Sequence, residues 1–240
     1  MGLIILIGCN SPQIESFQQA QTKEAAMCLG QGNALSNEGK YAEAINAYSK
    51  AIELNPKLYE AFIKRGDLFC REQKEYDKAL VDFNRAIEIS SKKPDAYIKL
   101  AGVYLIKDDT DIDKAISIIN KMLEVNSGDI AVCAYGRFMR AGLYFYFLRD
   151  YDKTIVDLTY IIDSLSELHY KEPICGLSYD KFVKTCNWSY YYRGQAYKEK
   201  GEYEKARSDF KRAVELDPQN MITINEFDKI EQLIKSKEGK

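Results

Sequence analysis

Only one histidine occurs in the 240 residues, His169, and it stands near two of the six cysteines, Cys175 and Cys186. Imidazole and thiolate are the usual ligands of zinc, so chemistry is sought there first. The spacing is loose, no C-x-x-C pair occurs, and no fourth ligand is indicated, so no metal site is expected. Cys175 and Cys186 are also the one pair close enough, in one irregular segment, to bridge in an oxidising compartment. Most of the six cysteines sit inside helical patterns, where a free thiol behaves as a small buried hydrophobe. The chain has no Ser-His-Asp order, no glycine-rich phosphate loop and no paired-histidine motif. Its carboxylates fall on helix faces as i,i+4 partners of Lys and Arg. No catalytic, cofactor-binding or metal-binding residue is therefore assigned, and the chain is read as no enzyme.

What must hold such side chains in place is a helical body. Basic and acidic residues number 34 and 36, a net charge of −2, which lacks the basic footprint of a nucleic-acid binder. Apolar residues make up 46% and charged residues 29%, as in a folded soluble body rather than a disordered one. With five prolines and 14 glycines the breakers are few, and aliphatic, Ala, Lys and Glu residues between them favour helix. No run after Cys9 approaches the ~20 apolar residues a bilayer-spanning helix needs.

The helices repeat. GNALSNEGKYAEAINAYSKAIELNP, Gly32 to Pro56, and GQAYKEKGEYEKARSDFKRAVELDP, Gly194 to Pro218, agree at every marker offset. Each has Gly, then Gly-x-Tyr seven residues on, then Ala, an aromatic, Ala and a final Pro. The same markers recur as Gly66, Tyr76, Ala79, Phe83 and Ala86, with one extra residue in the turn. Two weaker units carry Tyr97, Leu100, Ala101 and Ala115, and Phe138, Ala141, Gly142, Thr154 and Leu158. Small residues mark where two helices approach, aromatics such as Tyr41, Tyr48 and Phe83 fill the wedge between pairs, and stacked neighbours share one core. The pattern resembles the tetratricopeptide repeat, a helix, a turn and a second antiparallel helix.

The resemblance implies an all-α protein, a right-handed α-solenoid of about five helix hairpins plus a C-terminal capping helix. The repeats are placed at about residues 25–58, 59–93, 94–129, 135–168 and 187–220, within a solenoid spanning 25–220. An insertion at 165–186, broken by Pro173 and Gly176, is expected to prolong the helices on either side around a loop at 171–177. Residues 10–24 read as a linker or leading helix, and 221–240 as a cap with a frayed end. The family's use of its concave face implies a protein or peptide partner held by the first helix of each pair. Carried over position by position, that face comprises Asn33, Ile63, Asp67, Ile98, Met139, Leu143, Tyr146, Tyr191, Gln195 and Lys198. A clamp for a terminal carboxylate is not expected, because Leu29, Lys64 and Asp95 stand where its Lys, Asn and Lys belong. Three consecutive tyrosines, Tyr190 to Tyr192, cannot all be core at helical spacing, so at least one is expected to face a partner.

The first nine residues pose a separate question. LIILIGCN resembles the lipobox of bacterial lipoproteins, in which Leu6, Ile7 and Gly8 precede a Cys9 that takes the lipid. The run is short, and neither Lys nor Arg precedes Lys23, unlike a secretory signal. Two readings stand: an interaction scaffold tethered through Cys9 to a bacterial envelope membrane, or a soluble cytoplasmic adaptor or co-chaperone without lipid. In the first, the membrane is reached by the lipid alone.

Overall fold

The computed structural model describes residues 12–107, 111–168 and 179–238, and every regular element among them is helical. The chain divides into two compact units, Met1–Thr110 and Asp111–Lys240. Unit one holds α1 (Pro12–Asn37), α2 (Tyr41–Leu54), α3 (Tyr59–Arg71), α4 (Tyr76–Ile89) and α5 (Pro94–Ile106). Unit two holds α6 (Ile112–Val125), α7 (Ile130–Leu143), a π turn (Tyr144–Leu148), α8 (Tyr151–Leu168), α9 (Tyr179–Glu199), α10 (Tyr203–Leu216) and α11 (Met221–Glu238). The two helices read as the third repeat, α5 and α6, thus fall in different units. Helix α1 takes in residues 12–24 without a break, α8 runs to Leu168, and α9 begins at Tyr179. The loop expected at 171–177 lies outside the described residues.

Helix pairing follows the small-residue markers. In α1/α2, α3/α4 and α9/α10 the alanines Ala44, Ala51, Ala79, Ala86, Ala206 and Ala213 are fully buried, which brings the backbones together. Tyr48, Phe83 and Phe210 are also fully buried, each with its ring against a glycine of the preceding helix. A Cβ on Gly32, Gly66 or Gly194 would meet that ring at 2.5, 2.7 or 2.8 Å, so only glycine fits there. The turns share one device. Gly39 and Gly201 take φ of +76° and +77°, and the amide beyond each closes back on the helix, Lys40 N to Leu35 O and Glu202 N to Tyr197 O. Lys74 and Arg149 adopt the same left-handed backbone without glycine's freedom.

Helix α11 caps unit two. Ile230 and Ile234 enter a core with Ala206 and Phe210, and Phe227 packs against its edge. Its exposed positions include Asp228, Lys229, Gln232, Lys235 and Lys237.

Candidate functional site

An arginine device that sequence reasoning missed braces the helices that carry several of the residues expected to face a partner. Arg65 on α3 donates Nε and Nη2 to both oxygens of Asp82 on α4, at 2.9 and 2.7 Å, and Nη1 to the Ser49 hydroxyl on α2 at 2.9 Å. Arg193 on α9 does the same with Asp209 on α10, at 2.8 Å twice, and with the Thr159 hydroxyl on α8 at 3.0 Å. Arg140 on α7 grips Asp157 on α8 and Asn120 on α6. Each guanidinium thus ties its own hairpin to the helix before it, through the bidentate geometry that favours arginine over lysine. The signal in the sequence was an arginine followed 16 or 17 residues later by aspartate in all three places.

The residues expected to face a partner have diverse surroundings. In unit one, Asn33 Oδ1 accepts from the Tyr48 hydroxyl at 2.9 Å, and Asp67 accepts from Lys99 Nζ at 2.9 and 2.8 Å. Ile98 is half-buried. Ile63 departs from expectation: it is only 5% exposed and belongs to the core. Helix α3 packs on α5 as well as on α4, and apolar side chains on a shared flank lose their water. Leu143 is likewise buried, 6% exposed, where α7 passes into the π turn and both pack on α8. In unit two Lys198 Nζ donates to Glu226 Oε2 on α11 at 2.7 Å, and Gln195 Nε2 donates to the Tyr191 hydroxyl at 3.2 Å. Glu226 is half-buried, which would raise its carboxyl pKa, but hydrogen bonds from Lys198, Lys229 and Gln195 outweigh that and hold it down at about 2.

The open part of the surface is aromatic. Met139 is half-buried, and Tyr146 is 53% exposed. Tyr190, Tyr191 and Tyr192 are all half-buried, so none of the three is wholly core or wholly in water. Tyr191 and Tyr192 meet Trp188 at ring separations of 5.5 and 5.9 Å. Tyr192 in turn contacts Phe138, Phe145 and Tyr146 edge-on, at 6.0 to 6.3 Å. The π turn closes with Asp150 N donating to Tyr144 O at 2.9 Å, and it holds Tyr146, Phe147 and Leu148 in water. π turns recur at functional sites because the widened turn redirects side chains. The run LYFYFL, residues 143 to 148, was the legible sign, since six successive apolar residues cannot share one helix face.

Beside this strip lies an apolar pocket of about 90 Å³, walled by Phe138, Gly142, Phe145, Tyr146, Leu158 and Tyr192. Burial, then the nearby Tyr146 hydroxyl, push the Tyr192 phenol well above its ordinary pKa, so it stays neutral and protonated.

Cys28, Cys70, Cys133 and Cys186 are buried free thiols, and burial pushes the Cys186 thiol up to about 11, away from reactive thiolate. Cys9, His169 and Cys175 lie outside the described residues. Among the described residues no cluster of His, Cys, Asp or Glu is arranged to hold a metal, and no helix is long and apolar enough to cross a membrane.

Comparisons with known proteins bear on this arrangement. The family model described as tetratricopeptide repeat matches residues 188–220, and one described as TPR repeat matches 32–71 and 68–106. No curated protein matches the chain. Among solved structures, the C-terminal part of a TPR repeat-containing protein from Cytophaga hutchinsonii is 18% identical, with a TM-score of 0.68 over 85% of this chain and 73% of that one. MamA is 19% identical, with a TM-score of 0.59 over 82% and 93%. YrrB, described as a TPR protein with an unusual peptide-binding site, is 17% identical, with a TM-score of 0.56 over 90% and 98%. At such identities the likeness concerns the fold.

Proposed function

Since the chain belongs to the tetratricopeptide repeat family, we propose that it is a non-enzymatic interaction scaffold that binds a peptide or partner protein. The binding face is carried in unit two by α7, the π turn and α9. One observation carries the reading: Tyr146, Phe147 and Leu148 stand in water together, beside an apolar pocket. Clustered exposed apolar side chains mark interaction surfaces, whereas scattered ones do not. Aromatics and methionine suit contact surfaces, and Met139 and Tyr191 flank the strip. The likeness to YrrB supports a peptide as the partner. Gln195 and Lys198 lie at the α11 end of this face, where their polar groups already serve α11 and Tyr191. Asn33, Asp67 and Ile98 form the corresponding strip of unit one. Panning a random peptide library on the whole protein tests the reading. Enriched peptides should bind Tyr146→Ala and Phe147→Ser at least about tenfold more weakly, with unchanged circular dichroism. Peptides indifferent to both substitutions, or no enrichment, would count against it.

We further propose that the scaffold is tethered to a bacterial envelope membrane by lipid on Cys9. The support is the Leu6-Ile7-Gly8-Cys9 sequence, in which a small residue precedes the thiol. Intact mass spectrometry of protein from membrane and soluble fractions of the native host is the test. A chain beginning at an acylated Cys9 supports the tether. A mature soluble chain that retains Met1 or Gly2 favours the cytoplasmic adaptor instead.

A further inference from the structure

Leu158 occupies, on α8, the place that Tyr48, Phe83 and Phe210 occupy on α2, α4 and α10. It follows Gly142 by sixteen residues, as Tyr48 follows Gly32 and Phe210 follows Gly194, while Phe83 follows Gly66 by seventeen. In those three hairpins the ring presses on the glycine, 2.5 to 2.8 Å from where a Cβ would stand. At Gly142 nothing among the described residues lies within 4 Å of that point. A leucine reaches less far than a phenyl ring, and the space left over is the pocket of about 90 Å³. The void stands where α2, α4 and α10 each supply a ring to their own hairpin.

The walls state what fills it. Phe138, Phe145, Tyr146 and Tyr192 present ring edges and faces, the arrangement in which a further aromatic ring gains edge-to-face contact. Thr154, on the inner wall, already gives its hydroxyl to the Asp150 carbonyl at 2.9 Å and asks nothing of an occupant. A closed cavity of about 150 Å³ holds benzene, so this space of about 90 Å³ takes a phenyl ring only in part, edge-first with the remainder in the open mouth, and an indole still less. An aliphatic side chain fills volume but forgoes the ring contacts.

We propose that this pocket receives the phenyl ring of a phenylalanine in the bound partner peptide, so that the partner completes the hairpin Leu158 leaves unfilled. The inference rests on the reading of unit two as a peptide-binding face. The test titrates the isotope-labelled whole protein with N-acetyl-phenylalaninamide, and with the leucine and alanine analogues beside it. The phenylalanine probe should give saturable shifts at Ala141, Gly142 and Thr154, with leucine weaker and alanine inert. Leu158→Phe fills the space from inside, as Phe83 and Phe210 do, and should weaken the probe at least about tenfold while raising the melting temperature. Gly142→Leu blocks the same space from the other wall, and serves if Leu158→Phe fails to fold.

Equal binding of the leucine and phenylalanine probes, or affinity unchanged in the folded blocked variants, would overturn the proposal. So would nuclear Overhauser contacts in the free protein placing a side chain of this chain, including any from residues 169–178, against Gly142. The peptides from library panning separate this inference from its premise. Peptides that lose binding when their phenylalanine becomes alanine, and fail on the blocked variants, support both. Peptides that bind without any aromatic residue, equally well to the blocked variants, leave the scaffold standing and remove the pocket inference. No peptide recovered, with the probe still filling the pocket, removes the scaffold reading and the partner-borne ring with it.

Discussion

A glycine inside a helix is unfavourable unless a neighbour needs the space its side chain would take, and this chain holds both cases at matched positions. At Gly66 and Gly194 the neighbour is a buried ring with nowhere to retreat. Gly66→Ala or Gly194→Ala should therefore lower stability by about 1–2 kcal/mol in chemical denaturation, the overpacking strain exceeding the gain in helix propensity. At Gly142 the added methyl meets nothing among the described residues, and Gly142→Ala should raise stability by about 0.5–1 kcal/mol. Opposite signs at equivalent sites would measure the missing ring directly. The arginines make a second test. Asp82 is 2% exposed and is gripped through both oxygens by Arg65. Arg65→Ala strands that carboxylate and should cost about 3–5 kcal/mol, whereas Arg65→Met combined with Asp82→Leu should recover most of the loss. A double-mutant cycle by urea denaturation reads the coupling; additive losses would mean the pair contributes nothing together.

Elements were legible wherever period and punctuation agreed. The hairpins α1/α2, α3/α4 and α9/α10 followed from Gly-to-aromatic spacing, because that spacing is itself the packing contact. The surface was legible only in part. Helical period tells which side of a helix a residue lies on but not what lies opposite, so Asp67 was read as open although Lys99, 32 residues later, claims it. Lys198 was read the same way, and its partner Glu226 lies 28 residues on. Leu143 was read as open too, although α8 packs on α7 and Leu143 is only 6% exposed. The Lys198–Glu226 contact also yields a pH dependence for the docking of α11. Glu226 falls from a usual 4.5 to about 2 in the folded protein. A depressed carboxyl pKa stabilises the fold above the unfolded value, and that stabilisation is lost as pH falls from about 4.5 towards 2. The melting temperature of Glu226→Gln should therefore lie below that of the parent at pH 7, and the gap should close across this acid window. A gap independent of pH would show that Glu226 acts by packing rather than charge.

On the scale of the whole molecule, near-equal numbers of basic and acidic residues leave a net charge of only −2, with no long-range field to steer a charged partner. Many of the charges are also taken up locally. Arg65, Arg140 and Arg193 hold aspartates of their own hairpins, Lys99 holds Asp67, and Lys198 holds Glu226. What the chain leaves free for a partner on the face of unit two is instead rings and aliphatic groups, whose attraction is burial and is not screened by salt. Affinity for a selected peptide should then change by less than about threefold between 50 and 500 mM salt, the range over which screening erodes exposed ion pairs. Its temperature dependence should show the negative heat-capacity change of apolar burial. Titration calorimetry across both variables measures the two together. A loss of tenfold or more with salt would move the contact to Lys- and Glu-bearing helix flanks, and would leave the strip at Tyr146 to Leu148 without a role in recognition.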